Sequence, residues 1–184
     1  EIFGYQDKKL DEKSIFKPYS PYAVTKVANE YLSNVYMMYS KNLKITSLNF
    51  FNTYGPSEGT DAVIPNFIKK AINKETIIIE GDGNQARDFT YIDDTISLLI
   101  NVISSDKYFR YLNVGSGYDV SVNKIASIVK SHFPETKIEN TSSRPNEIKT
   151  FIADNSIIIN NFDFVSGIDI ETGMKKVIDF HLHK

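Results

Sequence analysis

The stretch Ser20-Pro-Tyr-Ala-Val-Thr-Lys26 predicts the start of a helix that runs to about Ser40. Ser20 is a suitable N-cap because its hydroxyl can accept from a free first-turn amide, and Pro21 fits the first helical position, where a missing N–H costs nothing. Tyr22 and Lys26 lie one turn apart in a polar sector of this helix. An ammonium near a phenol stabilises the phenolate, so the pair is suited to act as a base.

The remainder of this helix is amphipathic. Asn29, Ser33 and Ser40 continue the polar sector, and the broad opposite arc is apolar, so we expect that arc to be buried. The arc consists of Val24, Val27, Ala28, Tyr31, Leu32, Val35, Met38 and Tyr39. Tyr-x-x-x-Lys alone is a weak signal, since Tyr5 and Lys9 share the spacing in a segment without a helical apolar face. The alternative interpretation is an ordinary exposed tyrosine and lysine.

Composition narrows the functional classes. The 184 residues are 41% hydrophobic and 24% charged, as in a soluble globular protein, and the net charge of −2 suggests neither a nucleic-acid nor a membrane-surface partner. Cysteine is absent, which excludes disulfides, thiolate metal sites and a cysteine nucleophile. No apolar run approaches the roughly 20 residues of a membrane span. We expect a cytoplasmic protein, and a start at Glu1 without methionine predicts a piece of a larger domain.

Helices and strands alternate along the chain, which is typical of an α/β fold. We predict strands at 43–51, 76–79, 111–114 and 137–139, with 85–92 extended. Helices are predicted at 63–73, at 121–132, from Asp93 or Asp94 to about 104, and more weakly at 155–161 and 171–180. Residues 52–56 are predicted to form a turn. Because ligands in such sheets bind beyond the carboxyl ends of strands, Asn52 is a candidate ligand-binding residue.

The segment Gly81-Asp-Gly-Asn-Gln-Ala86 fits the G-x-G-x-x-A dinucleotide pattern, but extended residues follow it instead of a helix. We therefore interpret it as a hairpin turn. Arg87 after it and Arg144 further on each follow small polar residues, and a guanidinium offers two parallel donors to a phosphate. The alternative is two surface arginines. The three histidines are predicted to be surface residues, and no metal site is expected.

Six motifs together resemble the extended short-chain dehydrogenase/reductase family, in particular its nucleotide-sugar epimerases and dehydratases. They occur in the order and at the spacing of that family and cover nearly the whole chain. They are Ser20-Pro-Tyr-Ala-Val-Thr-Lys26, Phe50-Phe-Asn-Thr-Tyr-Gly-Pro56, Val63-Ile-Pro65, Gly81-Asp-Gly-Asn-Gln-Ala-Arg-Asp-Phe-Thr-Tyr-Ile-Asp93, Asn113-Val-Gly-Ser-Gly117 and Arg144-Pro-Asn-Glu147.

The resemblance implies the C-terminal part of a doubly wound, Rossmann-like parallel sheet plus a smaller α/β substrate-binding domain. Residues 1–60 and 91–115 would belong to a partial NAD-binding domain, and residues 61–90 and 116–184 to a nucleotide-sugar-binding domain. The implied cofactor is NAD, the implied ligand is a nucleotide-diphosphate sugar, and the implied assembly is a homodimer through the helix at 21–40.

The resemblance also implies residue roles. Tyr22 would take the proton of the sugar 4-hydroxyl while C4 gives hydride to NAD, Lys26 would hold the nicotinamide ribose, and Phe51 would line the nicotinamide pocket. The remaining roles concern the substrate: Asn52, Arg87 and Arg144 on the phosphates, Glu147 on the ribose, Val63 and Ile78 beside the base, and Phe151 in the hexose pocket.

Three functions remain open. A UDP-hexose 4-epimerase acting through a 4-keto intermediate is favoured by the Tyr22 context and the Phe50-Phe-Asn run. A dTDP- or NDP-glucose 4,6-dehydratase is kept open by Asn49 and Glu1, which stand where many dehydratases have Asn and Glu. The family's glycine-rich cofactor loop is expected before Glu1, so we expect these 184 residues alone to be inactive. A non-catalytic, nucleotide-sugar-binding remnant is the alternative of another class.

Overall fold

The computed structural model describes residues 1–4, 6, 8–143 and 149–183. That part of the chain contains six helices and nine short strands. The helices are α1 (Pro21–Tyr39), α2 (Val63–Ile72), α3 (Ile92–Ile103), α4 (Val122–His132), α5 (Ser156–Phe162) and α6 (Ile170–Leu182). The strands are β1 (Ser47–Phe50), β2 (Asn52–Tyr54), β3 (Ile77–Glu80), β4 (Ala86–Arg87), β5 (Phe89–Tyr91), β6 (Tyr111–Val114), β7 (Val120–Ser121), β8 (Ile138–Thr141) and β9 (Thr150–Phe151). None of these helices is long and apolar enough to cross a membrane.

The strands form four small, mostly parallel sheets. β1 pairs with β6, β2 with β5 and β3 with β8, all in parallel. The fourth sheet has the order β7-β4-β9, in which β4 is antiparallel to β7 and parallel to β9. Since β1 and β6 pair in register from Ser47 with Tyr111 to Phe50 with Val114, the prediction that 43–51 and 111–114 share a sheet is confirmed.

The single strand and turn predicted for 43–56 are wrong in detail. The strand begins only at Ser47 and breaks at Phe51, and residues 52–54 form β2 instead of a turn. The break arises because the main chain changes partners there: Phe51 N donates to Val114 O (2.9 Å), whereas Asn52 N donates to Asp88 O (3.0 Å). The chain thus passes from one small sheet into the next without a loop.

Two further local predictions were wrong. The N-cap of helix α3 is Tyr91 and not Asp93 or Asp94. The two aspartates lie inside the first turn, where their negative charges interact favourably with the positive end of the helix dipole. Gly81 and Gly83 do turn the chain, both with φ of 75°. However, β3 and β4 on either side belong to different sheets, so the turn does not close a hairpin.

The buried side chains form two apolar clusters. The larger one contains the buried side chains of α2, α4 and α6. It also includes the buried tyrosines Tyr54 and Tyr91, whose rings pack edge to face with their centres 5.5 Å apart. The smaller one joins α3, β6 and α5 through Leu98, Leu112 and Phe162. In this second cluster α5 packs against elements of the predicted cofactor-binding segment, while the two-domain division itself stays a prediction.

The apolar arc of α1 is exposed except at Val27, so the prediction that the arc is buried was wrong. Only a narrow stripe of the helix, formed by Ala23, Val27 and Glu30, is buried. Leu32 on the arc is 53% exposed and Met38 82% exposed. Hydrophobic periodicity identified the two faces of the helix correctly, but the stripe that contacts the rest of the chain lies between them.

Candidate active site

A cleft of about 330 Å³ opens beside the N-terminal turns of α1 and the strand β1. Tyr22 and Lys26 line it, with the Lys26 ammonium 5.2 Å from the centre of the Tyr22 ring. The N-cap of the helix holds the pair in place, because Ser20 Oγ accepts from Ala23 N at 3.1 Å. The same hydroxyl donates to Glu1 Oε2 at 2.6 Å, which brings a carboxylate to the cleft.

Two phenylalanines form the apolar wall of this cleft, named here the tyrosine cleft. Phe51 follows β1 and Phe151 ends β9, and their ring centres lie 4.9 Å apart with an angle of 33° between the planes. Both line the cleft together with Tyr22 and Lys26. Four residues from three separate parts of the sequence, each singled out from the sequence alone, therefore line one cleft.

Sequence reasoning missed Glu30 as part of the tyrosine cleft. This residue is 7% exposed, and its Oε2 has no hydrogen-bond partner among the described residues. Its main-chain carbonyl accepts from Arg110 Nη2 at 2.9 Å. The helical spacing could have identified it, since Glu30 lies one turn beyond Lys26. The side chain of Asn49 also lines the cleft and donates to Asn113 Oδ1 at 3.3 Å.

A second cleft of about 460 Å³ is lined by Val63, Ile78 and Arg87. We name it the arginine cleft. Val63 begins α2, and Ile78 is 38% exposed on β3. Arg87 lies on β4 and donates from Nη1 to Ala86 O at 2.9 Å. The cleft combines apolar and polar walls, the polar residues being Asp61, Asn66, Lys70, Glu80 and Gln85.

The two clefts adjoin at the pair of strands β4 and β9, where Arg87 is in register with Phe151. Asn52 lies at the same junction, directly after Phe51, although it lines neither cleft. Its main-chain N and its Nδ2 both donate to Asp88 O, at 3.0 and 3.2 Å. The predicted substrate residues Asn52, Arg87 and Phe151 are therefore held within one local network.

Asp88 is the second residue that sequence reasoning missed. Its side chain is fully buried, and the carboxylate accepts four hydrogen bonds from Ser116 N, Ser116 Oγ, Gly117 N and Ala153 N. Burial raises the pKa of Asp88 and these hydrogen bonds oppose the rise. The neighbouring sequence offered no signal for this burial, because the donors that surround the carboxylate come from segments distant in sequence.

Two predicted phosphate and ribose ligands, Arg144 and Glu147, lie outside the described residues. Within the described ranges no group of three or more His, Asp or Glu side chains is arranged to hold a metal ion.

Comparison with known proteins identifies nucleotide-sugar epimerases and dehydratases as relatives of this chain. The family model described as GDP-mannose 4,6 dehydratase matches residues 1–177. The UDP-glucuronate 4-epimerase of Thermodesulfobacterium geofontis is 34% identical over 180 residues, covering 96% of this chain and 53% of that protein. The dTDP-glucose 4,6-dehydratase of Xanthomonas campestris is 25% identical over 195 residues, covering 99% and 55%.

Solved structures show the same similarity. The UDP-glucuronic acid 4-epimerase of Bacillus cereus, in complex with UDP-glucuronic acid and NAD, superposes with a TM-score of 0.91 at 28% identity and covers 99% of this chain and 59% of that one. The NAD-dependent NDP-hexosamine 5,6-dehydratase TunA gives a TM-score of 0.91 at 32% identity, covering 100% and 60%.

The chain thus spans between half and two thirds of the length of these relatives. Its parallel strands and flanking helices are the Rossmann-like α/β architecture of the solved members. Because the family model covers nearly the whole sequence, the chain belongs to the GDP-mannose 4,6 dehydratase family, the nucleotide-sugar epimerases and dehydratases among the extended short-chain dehydrogenases/reductases.

Proposed function

We propose that this chain carries the base and the nucleotide-sugar site of an NAD-dependent 4-epimerase that acts on a UDP-hexose through a 4-keto intermediate. The observation that carries the proposal is the tyrosine cleft, which Tyr22 and Lys26 line together with the two phenylalanine rings of Phe51 and Phe151. A sugar and a nicotinamide both have flat, partly apolar faces that suit such a wall. The Bacillus cereus relative is itself a UDP-glucuronic acid 4-epimerase, and its structure holds UDP-glucuronic acid and NAD.

The residues of the tyrosine cleft fit the nicotinamide end of NAD. Lys26 is placed to donate to ribose hydroxyls, and Phe51 offers a ring face for the nicotinamide. When bound, NAD would accept hydride from the sugar C4 and return it. The pyrophosphate needs amides at a helix N-terminus after a glycine-rich turn. Among the described residues the Gly81–Gly83 turn leads into a strand instead, so that half of the cofactor would be held elsewhere.

The chain's own groups account for proton transfer and for substrate binding. The Tyr22 phenol oxygen is the proposed acceptor of the proton of the sugar 4-hydroxyl, and the Lys26 ammonium lies 5.2 Å from the centre of its ring. Arg87 lines the arginine cleft with a guanidinium suited to the diphosphate. Asn52 uses one side-chain N–H on Asp88 O and has a second for a phosphate oxygen. Val63 and Ile78 supply apolar surface for the base.

The test is Tyr22→Phe in the protein as its gene encodes it, assayed with UDP-glucose and NAD for formation of UDP-galactose. Removing the proton acceptor is expected to lower kcat by about 10²–10⁴-fold. Substrate affinity should change little, because the diphosphate is held at Arg87. Tyr36→Phe is the matched control, since Tyr36 is an exposed tyrosine of the same helix outside the cleft. Near-normal turnover of Tyr22→Phe would refute the assignment.

A 4,6-dehydratase is the second candidate, because Glu1 and Asn49 also line the tyrosine cleft. After oxidation at C4 the C5 proton becomes acidic, and a carboxylate such as that of Glu1 could remove it and pass a proton to the C6 hydroxyl, which leaves as water. The hydride taken from C4 would then return to C6 while C5 regains a proton. Mass spectrometry of the product distinguishes the two reactions: epimerisation leaves the mass unchanged, whereas dehydration removes one water. Binding of UDP-glucose without either product would instead indicate the non-catalytic alternative.

We further propose a homodimer that covers the exposed face of α1. Tyr31, Leu32, Val35 and Met38 form one apolar surface on that face, and each is at least 43% exposed. Contiguous apolar surface of this kind is typical of interaction sites. In the proposed division into a cofactor-binding part (1–60 and 91–115) and a nucleotide-sugar-binding part (61–90 and 116–184), residues of both parts line the tyrosine cleft. The arginine cleft is lined by residues of the nucleotide-sugar-binding part alone.

A further inference from the structure

We propose that Asp88 is a positioning residue for nucleotide-sugar binding, which fixes Asn52, Arg87 and Phe151 relative to one another. This inference rests on the proposed function, since it concerns the same site. It goes beyond that function because Asp88 itself lines neither cleft and contacts no proposed ligand position.

The peptide groups of Asp88 hold two of the three residues directly. Asp88 O accepts from Asn52 N at 3.0 Å and from Asn52 Nδ2 at 3.2 Å. Asp88 N donates to Phe151 O at 3.1 Å. The third residue, Arg87, precedes Asp88 in the chain, so a displacement of the Asp88 backbone moves all three substrate residues together.

The carboxylate of Asp88 fixes the position of that backbone. Oδ1 accepts from Ser116 N and Ser116 Oγ, both at 2.7 Å. Oδ2 accepts from Gly117 N at 3.0 Å and from Ala153 N at 3.1 Å. Four donors from two distant segments saturate a carboxylate, and three of them are main-chain amides that cannot turn away.

The chain at Gly115 packs closely against the Asp88 side chain. A Cβ on Gly115 would lie 2.5 Å from Asp88 Oδ2 and 2.6 Å from Ala153 Cβ. The backbone after β6 therefore packs directly on the carboxylate. Loss of the carboxylate would leave the three buried amide donors of Ser116, Gly117 and Ala153 unpartnered.

Asp88→Asn is the informative substitution because it keeps the shape of the side chain but replaces one acceptor oxygen with an NH2 donor. If the new amide nitrogen replaces Oδ1, its hydrogens face the main-chain N–H of Ser116. If the nitrogen replaces Oδ2, its hydrogens face the main-chain N–H groups of Gly117 and Ala153. We expect the dissociation constant for UDP-glucose, measured by isothermal titration calorimetry, to rise about 10-fold or more. Ser116→Ala removes only the hydroxyl donor and should raise it by a smaller factor, about 2- to 3-fold.

The control separates positioning from general stability. Ile128→Ala shortens a buried side chain of α4 that lines neither cleft, so it lowers stability without touching the Asp88 network. At a temperature where both variants are fully folded, we expect Ile128→Ala to bind UDP-glucose within about 2-fold of the unmutated chain. Asp88→Asn binding as tightly as this control would overturn the proposal.

Amide hydrogen exchange keeps the inference testable if the unmutated chain does not bind UDP-glucose. That result would contradict the proposed function alone. Exchange of the Asn52 main-chain amide should then still be faster in Asp88→Asn than in Ile128→Ala of equal thermal stability. Equal exchange of Asn52 in the two variants would show that Asp88 does not position it, whatever the ligand.

Discussion

Gly173→Ala is expected to destabilise the protein, although the same change usually stabilises a helix. Gly173 lies inside α6 and is buried, and an added Cβ would be 2.0 Å from Tyr54 Oη and 2.8 Å from Tyr54 Cζ. In an unconstrained helix alanine is better than glycine by about 1 kcal/mol. Here either the helix or the ring must move by more than 1 Å to restore an ordinary contact.

The ring of Tyr54 cannot move freely. It is 2% exposed and packs edge to face against Phe89 and Tyr91 at 6.1 and 5.5 Å. Overpacking of a dense core typically costs about 1–3 kcal/mol. For a chain of this size we therefore expect the Tm to fall by roughly 2–10 °C, which differential scanning calorimetry would measure.

Two further variants make this reasoning falsifiable. Lys175→Ala changes an exposed position of the same helix and should alter stability by no more than about 0.5 kcal/mol. Gly173→Ala combined with Tyr54→Phe should recover part of the loss, because the nearest ring atom is then Cζ at 2.8 Å. If Gly173→Ala alone were as stable as the unmutated chain, the packing argument would be wrong.

Three other substitutions test separate features. Burial, with a contribution from the charge of Asp61, raises the pKa of Glu58 from 4.5 to about 7. Ionisation of Glu58 therefore opposes folding, and the free energy of unfolding falls as the pH rises from 4.5 to about 7. Because Glu58 is only half-buried, Glu58→Gln should gain about 1 kcal/mol at pH 8 and almost nothing at pH 4 in urea denaturation; an equal gain at both pH values would contradict this. Phe151→Ser should open the proposed hexose pocket to N-acetylated sugars, because we expect the clash of Phe151 with the acetamido group to cost about 1–3 kcal/mol. If the unmutated protein has equal kcat/KM for UDP-glucose and UDP-N-acetylglucosamine, Phe151 does not exclude N-acetylated sugars. Leu32→Lys places a charge on the proposed dimer face and should convert a dimer to a monomer in light scattering, whereas a monomeric unmutated protein would disprove that interface.

Local signals were sufficient to predict several elements. Tyr111–Val114 is a strand as predicted, and Ser20 caps α1 through its hydroxyl as expected. The helix predicted from Ser121 begins one residue later, because Ser121 is its N-cap. These predictions succeeded because the relevant contacts lie within a few residues in sequence. The residues of the tyrosine cleft were predicted in a different way. The resemblance of motifs to a known family identified Phe51 and Phe151, whereas their local sequence did not.

Long-range contacts explain what the sequence could not predict. The strand break at Phe51 depends on Asp88, which lies 36 positions beyond Asn52 and offers the carbonyl that redirects the chain. Asp88 itself looks like an ordinary polar residue between two short strands until its donors at 116, 117 and 153 are known. The exposed arc of α1 was missed because periodicity shows that a helix has two faces, but not which surface is covered.

The network around Asp88 also has a consequence for the order of folding. Its donors lie 28, 29 and 65 positions later in the chain, so Asp88 is synthesised before any of them. Closing loops of this length is slow compared with forming a helix such as α1. We expect the junction between the two clefts to be among the last parts to become native, and chains that end before Ala153 to fold α1 without ever forming that junction.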